Sequence, residues 1–116
     1  MPQVEFHTGV EAPLHFACRL LRKAYRQGVS VVVTAPAQML QALDRELWTF
    51  EAQEFVPHLR LKAGQALDAA LRRTPIWLCE DTPPSPCPKV LVNLGAEPFA
   101  GGEPFERIIE IVAAQD

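Results

Sequence analysis

The side chains with chemical potential in this chain are few and scattered. His15 and Cys18 stand three apart, a spacing at which both could touch one metal ion, with Cys79 and Cys87 as further donors. Cys79 with His58 or His7 would make a thiol and imidazole pair for nucleophilic catalysis, since such partners meet only in the fold. Glu51 with Glu54, and Glu80 with Asp81, are paired carboxylates of the type used for acid and base work. Each has a plainer reading that fits better. Cys18 falls within an apolar helical stripe, where a free cysteine packs as a small hydrophobe. No recognisable nucleophile motif surrounds Cys79, and the carboxylates have polar or proline-rich flanks that would leave them solvated. No catalytic, metal or cofactor set is expected.

The elements that must position these residues are legible from period and punctuation. Gln3 to Thr8 alternates, with Val4, Phe6 and Thr8 on one face, as in a strand. Leu14, Ala17, Cys18, Leu21, Ala24 and Tyr25 recur at three and four, predicting a helix from Pro13 to Gln27. Pro13 suits its first turn, Gly28 the left-handed position past its end, and Arg22, Lys23 and Arg26 its negative pole. Val29 to Val33 reads as a strand buried on both faces, giving a β-α-β unit with a parallel pair and so an α/β layered fold. A second helix is predicted from Pro36 to Leu47, covering the other surface of the sheet. Further strands are expected at Ile76 to Cys79, Val90 to Leu94 and Ile108 to Val112, and weak helical spacing at Gly64 to Arg73. Phe55 to His58 reads as a short extended piece that Pro57 confines to an edge or a strand end. Residues 83 to 88 read as a stiff proline-rich loop.

At 116 residues, with 48% hydrophobic and 22% charged side chains, one folded domain spans residues 1 to 116. The formal charge of −3 offers no field for coating DNA. Its placement is uneven: Arg60, Lys62, Arg72 and Arg73 form a basic stretch suited to an acidic partner, and residues 80 to 116 are acidic. No apolar run approaches the ~18 residues of a membrane span, and no secretory signal opens the sequence, which together with an odd cysteine count points to the cytoplasm. The first two predicted strands end in Thr8-Gly9-Val10-Glu11 and Thr34-Ala35-Pro36-Ala37, neither of which is a glycine-rich phosphate loop. A small nucleotide-binding protein or enzyme of the same architecture is therefore the weaker alternative. A single-strand binder stacking bases on Trp48 and Trp77 beside the cations of residues 60 to 73 is weaker still.

Leu43-Asp44-x-x-Leu47-Trp48-x-Phe50 followed by Phe55-Val56-Pro57-His58 resembles the chi subunit family of the bacterial DNA polymerase III holoenzyme. Val4-Glu5-Phe6-His7-Thr8, Gln27-Gly28-x-x-Val31, Thr74-Pro75-Ile76-Trp77-Leu78 and Val90-Leu91-Val92-Asn93-Leu94 resemble the same family in order, over nearly the whole chain. The resemblance implies a three-layer α/β/α, Rossmann-like domain with mostly parallel strands, and a non-catalytic accessory subunit of the clamp-loader assembly in DNA replication. It implies two partners: the psi subunit, and the acidic, apolar C-terminal tail of single-stranded DNA-binding protein, through which contact with single-stranded DNA is indirect. By the same resemblance Phe55 packs against psi, with Val56, Pro57 and His58 beside it, and Val112 begins the tail-binding site. The family's basic C-terminal helix has no counterpart before Asp116, so either the chain is shortened or Arg60, Arg72 and Arg73 substitute for the cations that meet the tail.

Overall fold

A computed structural model describes residues 3–49, 57–61, 73–80, 88–95 and 105–113. In chain order the elements are β1 (Gln3–Val10), α1 (Pro13–Arg26), β2 (Val31–Thr34), α2 (Ala37–Thr49), β3 (His58–Arg60), β4 (Ile76–Cys79), β5 (Val90–Asn93) and β6 (Arg107–Ala113). Among the described residues six strands form one sheet in the order β1-β6-β5-β2-β4-β3, every neighbouring pair parallel. The central strands β2 and β4 are buried along their whole length, as their unbroken β-branched and aromatic runs predict.

α1 ends as its sequence dictates. Gly28 takes φ +75, its N–H donates to the Tyr25 carbonyl at 3.1 Å, and the Val29 N–H donates to that of Ala24 at 2.9 Å. This left-handed turn satisfies two carbonyls that the last helical turn would otherwise leave open. Tyr25, placed on the apolar stripe by spacing, is partly exposed at its margin.

Two expectations about arrangement are overturned. β1 and β2 are parallel but not neighbours, because β6 and β5 lie between them. α2 does not cover the second surface of the sheet. Leu40, Leu43 and Leu47 of α2 share one core with Ala17, Cys18 and Leu21 of α1, over Val31, Val33, Ile76, Leu78, Val92 and Ile109. The reason is handedness: the steps from β1 to β2 and from β2 to β3 run the same way along the sheet, so two right-handed crossovers put both helices on the same side. The opposite face is buried as well, with Val32, Trp77, Leu91 and Ile108 packed against Leu61 and Phe105. A sheet covered on both faces is the layered α/β architecture.

Candidate functional site

α2 and β3 meet at one edge of the sheet, and there the two halves of the Leu43-to-His58 pattern converge. Asp44 and Trp48 are four apart on α2, so they share a flank of the helix beside its buried leucines. β3 pairs with β4 so that His58 lies opposite Ile76, on the side of the sheet that α2 covers. His58 Nε2 comes within 2.6 Å of Asp44 Oδ1. A carboxylate oxygen can only accept, so the ring donates from Nε2. The His58 side chain is only 2% exposed, and the Trp48 ring stands edge-on to it at 5.8 Å and 73°. Trp48 itself is 63% exposed, a large aromatic surface offered to solvent at the same spot. A second tie runs from Arg60, whose Nη2 donates to the Ala37 carbonyl at 3.4 Å.

Of the four residues expected to contact psi, Pro57 is half-buried just before the edge strand, where a residue without an amide donor is tolerated, and His58 opens that strand with its side chain buried. Phe55 and Val56 lie outside the described residues, as do residues 62–72 and the proline-rich 83–87. The reading from residue types missed Asp44 and Trp48 as members of this site. The polar Asp44 beside an otherwise apolar helical stripe is the signal that could have found them.

Val112 is 40% exposed on β6, on the face away from the two helices. Val4 pairs with Ile108 and Phe6 with Glu110, so both side chains project from that same face. Phe6 is 61% exposed. Val112 therefore belongs to an apolar strip along the β1 edge. Arg60 cannot supply cations there, because β3 lies four strand spacings, about 19 Å, from β6. Arg73 precedes β4 at the opposite end of the strands, and Arg72 lies outside the described residues.

Among the described residues the thiol and imidazole alternatives are not brought together. His58 faces the helices whereas Cys79 sits in the core of the opposite face, and His7 packs its ring against Phe16 of α1 at 5.2 Å, again on the helix side. Cys18 is fully buried, and burial pushes its thiol up to about 12, aided by the nearby Glu46 carboxylate. Such a thiol is a packing group, not a nucleophile or ready metal ligand. Among the described residues no three His, Cys, Asp or Glu side chains cluster as metal ligands. Trp77 is buried with its Nε1–H donating to the Thr74 carbonyl at 2.9 Å, so it offers no stacking face. Glu80 is exposed, while Glu51, Glu54, Asp81 and Cys87 lie outside the described residues.

In open parallel sheets ligands enter where consecutive connections diverge, at the carboxyl ends of the strands. Here that point lies between β2 and β5. It is filled by the protein's own groups: Thr34 Oγ1 donates to Asn93 Oδ1 at 3.2 Å, and Asn93 Nδ2 donates to Glu110 Oε1 at 2.7 Å. The Gly95 N–H also donates to Asn93 Oδ1, at 3.0 Å.

Comparison with known proteins agrees with the motif pattern. The family model for the DNA polymerase III chi subunit, HolC, matches residues 1–116. The DNA polymerase III subunit chi of Pseudomonas aeruginosa is 31% identical over 120 residues, covering 99% of this chain and 80% of that protein. A probable DNA polymerase III subunit chi of Rickettsia prowazekii is 29% identical over 77 residues, 66% of this chain and 44% of its own length.

Proposed function

Because this chain belongs to the DNA polymerase III chi subunit family, an accessory family of DNA replication, we propose that it acts as a non-catalytic adaptor. Its psi-binding surface is built on the meeting of α2 and β3. The observation that carries this reading is the Asp44 and His58 contact at 2.6 Å beside the exposed Trp48. It fixes the segment that directly follows Phe55 and Val56 against a rigid helix and sets an aromatic face next to it. Small interfaces draw most of their energy from a few such anchors, and aromatic ones are enriched among them.

The tail of single-stranded DNA-binding protein is the second proposed partner, and its apolar end would lie on the Val112 strip. Phe6 and Val4 supply further apolar surface there. The test of the adaptor role is co-purification with the psi subunit. Wild-type chain should form a stable one-to-one complex, and Phe55→Ala should lose it while unfolding at the same temperature. Truncating an anchor of this kind costs about 2 kcal/mol or more, a loss of at least thirtyfold in affinity. A folded Phe55→Ala chain that binds psi as wild type does would sink the assignment.

A further inference from the structure

β1 is an edge strand, with β6 its one neighbour among the described residues. The Gln3 N–H donates to the Glu106 carbonyl at 3.0 Å, so Gln3, Glu5 and His7 turn their backbone groups toward β6. Successive residues of a strand alternate sides, and Val4, Phe6 and Thr8 therefore turn theirs to the open edge. Native proteins blunt such edges with short strands, proline, lysine or a bulge that twists the edge away. β3, the other edge, is three residues long and follows Pro57. β1 has eight residues with no proline or lysine among them, and its register shift lies beyond His7. Beside the open edge Val4 is 45% exposed and Phe6 61%.

We propose that the chain self-associates through this edge, a second copy adding its own β1 antiparallel about a twofold axis at Phe6. Open backbone groups pair only with open backbone groups, so the axis falls on Glu5, Phe6 or His7 near the middle of the regular segment. An axis at Glu5 sets that carboxylate against Glu5 of the second copy, and an axis at His7 sets imidazole against imidazole. Only the axis at Phe6 brings acid opposite base, Glu5 facing His7 of the second copy twice over, and opposite charges stabilise a cross-strand pair where like charges destabilise it. Arg107 takes Oε1 of Glu5, while Oε2 has the longer 3.5 Å contact with His7 of its own strand, so the second imidazole joins a group already set for a base. On the other face the two Phe6 rings meet across the axis as an aromatic cross-strand pair. Their N–H and C=O groups form the central hydrogen-bonded pair, flanked on each side by Val4 of one copy and Thr8 of the other. The patch is thus complementary to itself, as a closed twofold dimer requires, which favours a second copy over an extended segment of another protein. Pairing leaves the Val4 and Phe6 side chains on the Val112 face, and it does not rest on what that strip binds. The Asp44 and His58 contact lies at the opposite edge of the sheet.

The experiment is sedimentation equilibrium on the full chain from about 10 µM to about 1 mM, the range in which so small an interface associates. The mass should rise with concentration from 12.9 kDa toward twice that value. Phe6→Lys, which sets two cations on the axis, and His7→Glu, which sets acid against Glu5, should each weaken dimerisation at least about tenfold. Val4→Pro removes an N–H that a single copy leaves on the open edge, so it should weaken the dimer while the dilute chain unfolds near the wild-type temperature. Trp48→Ala, at the other edge, should leave dimerisation unchanged. Thermal unfolding of each variant is checked at low concentration. Mild oxidation reads the position of the axis: Phe6→Cys in a Cys87→Ser background, where the remaining Cys18 and Cys79 are buried, should cross-link to itself, and Tyr25→Cys on the outer part of α1 should not. A mass of 12.9 kDa at every concentration would overturn the proposal, as would a dimer that survives Phe6→Lys and His7→Glu or that Trp48→Ala dissolves.

Discussion

At the scale of single residues, the Asp44 and His58 contact is where stability and the proposed recognition of psi meet. A nearly buried imidazole N–H needs an acceptor, and removing one costs about 1–3 kcal/mol. Asp44→Ala should lower the urea unfolding free energy by that amount and weaken psi binding, while Asp44→Asn, which retains an acceptor oxygen, should lose less of both. Equal stability of Asp44→Ala and wild type would show that the contact adds nothing. The exposed pair of Glu5 and Arg107 joins β1 to β6 through Arg107 Nη2 at 2.6 Å and Nε at 3.1 Å, both on Glu5 Oε1. Those hydrogen bonds hold the Glu5 carboxyl below its ordinary 4.5, against a smaller opposing effect of burial. A carboxyl depressed in the folded state adds stability above its unfolded pKa and loses it as pH falls through the folded one. Glu5→Gln should therefore be less stable than wild type at pH 7, by no more than about 1 kcal/mol for so exposed a pair. In urea titrations across pH that gap should narrow below pH 4.5 and close once the folded-state pKa is passed. A gap that does not change with pH would assign it to something other than the ion pair.

At the scale of elements, the sequence carried most of the local structure. Ile76 to Cys79 is a strand with the expected ends, Ile108 to Val112 is a strand as its β-branching favoured, and α1 stops at the glycine that marks its end. Gly28→Ala tests that last point. A Cβ there meets no atom within 4 Å, so the penalty is backbone strain at φ +75 alone, about 1 kcal/mol in thermal or urea unfolding. Gly28→Asn should lose less, since Asn tolerates the left-handed region better. A loss well above this would mean that the turn has a packing role as well. What was not legible follows from the same locality. Period tells which way a side chain points along its own element but not which strand lies alongside, so the insertion of β6 and β5 between β1 and β2 left no trace in spacing. Nor could the pairing of Asp44 with His58 be read, because thirteen residues lie between them in the chain and the two meet only in the fold. Val4 and Phe6 alternate like buried strand residues but are exposed, because β1 is an edge strand with one neighbour.

At the scale of the whole molecule, the architecture invites a ligand at the β2 and β5 divergence, and the chain has closed that place with its own polar groups. Asn93 is the hinge of this arrangement: it accepts from Thr34 and from the Gly95 N–H and donates to Glu110, linking three neighbouring strands within a buried row. Removing it would leave the 6%-exposed Glu110 without that donor and Thr34 and Gly95 without that acceptor. A buried polar group that loses a hydrogen-bond partner costs about 1–3 kcal/mol, partly relieved by any water the gap admits. Asn93→Ala should therefore destabilise by about 3 kcal/mol in urea unfolding with the slope unchanged, since the surface exposed on unfolding is the same. The loss should appear as stability alone, with psi binding intact in the folded fraction, because the α2 and β3 edge is separated from β5 by β2 and β4. A loss below about 1 kcal/mol would mean that water replaces the side chain without penalty, and that the crevice is open enough for a small polar ligand. A loss of psi binding in fully folded Asn93→Ala would show instead that the middle of the sheet is coupled to its β3 edge, and that the α2 and β3 surface is not a rigid platform of its own.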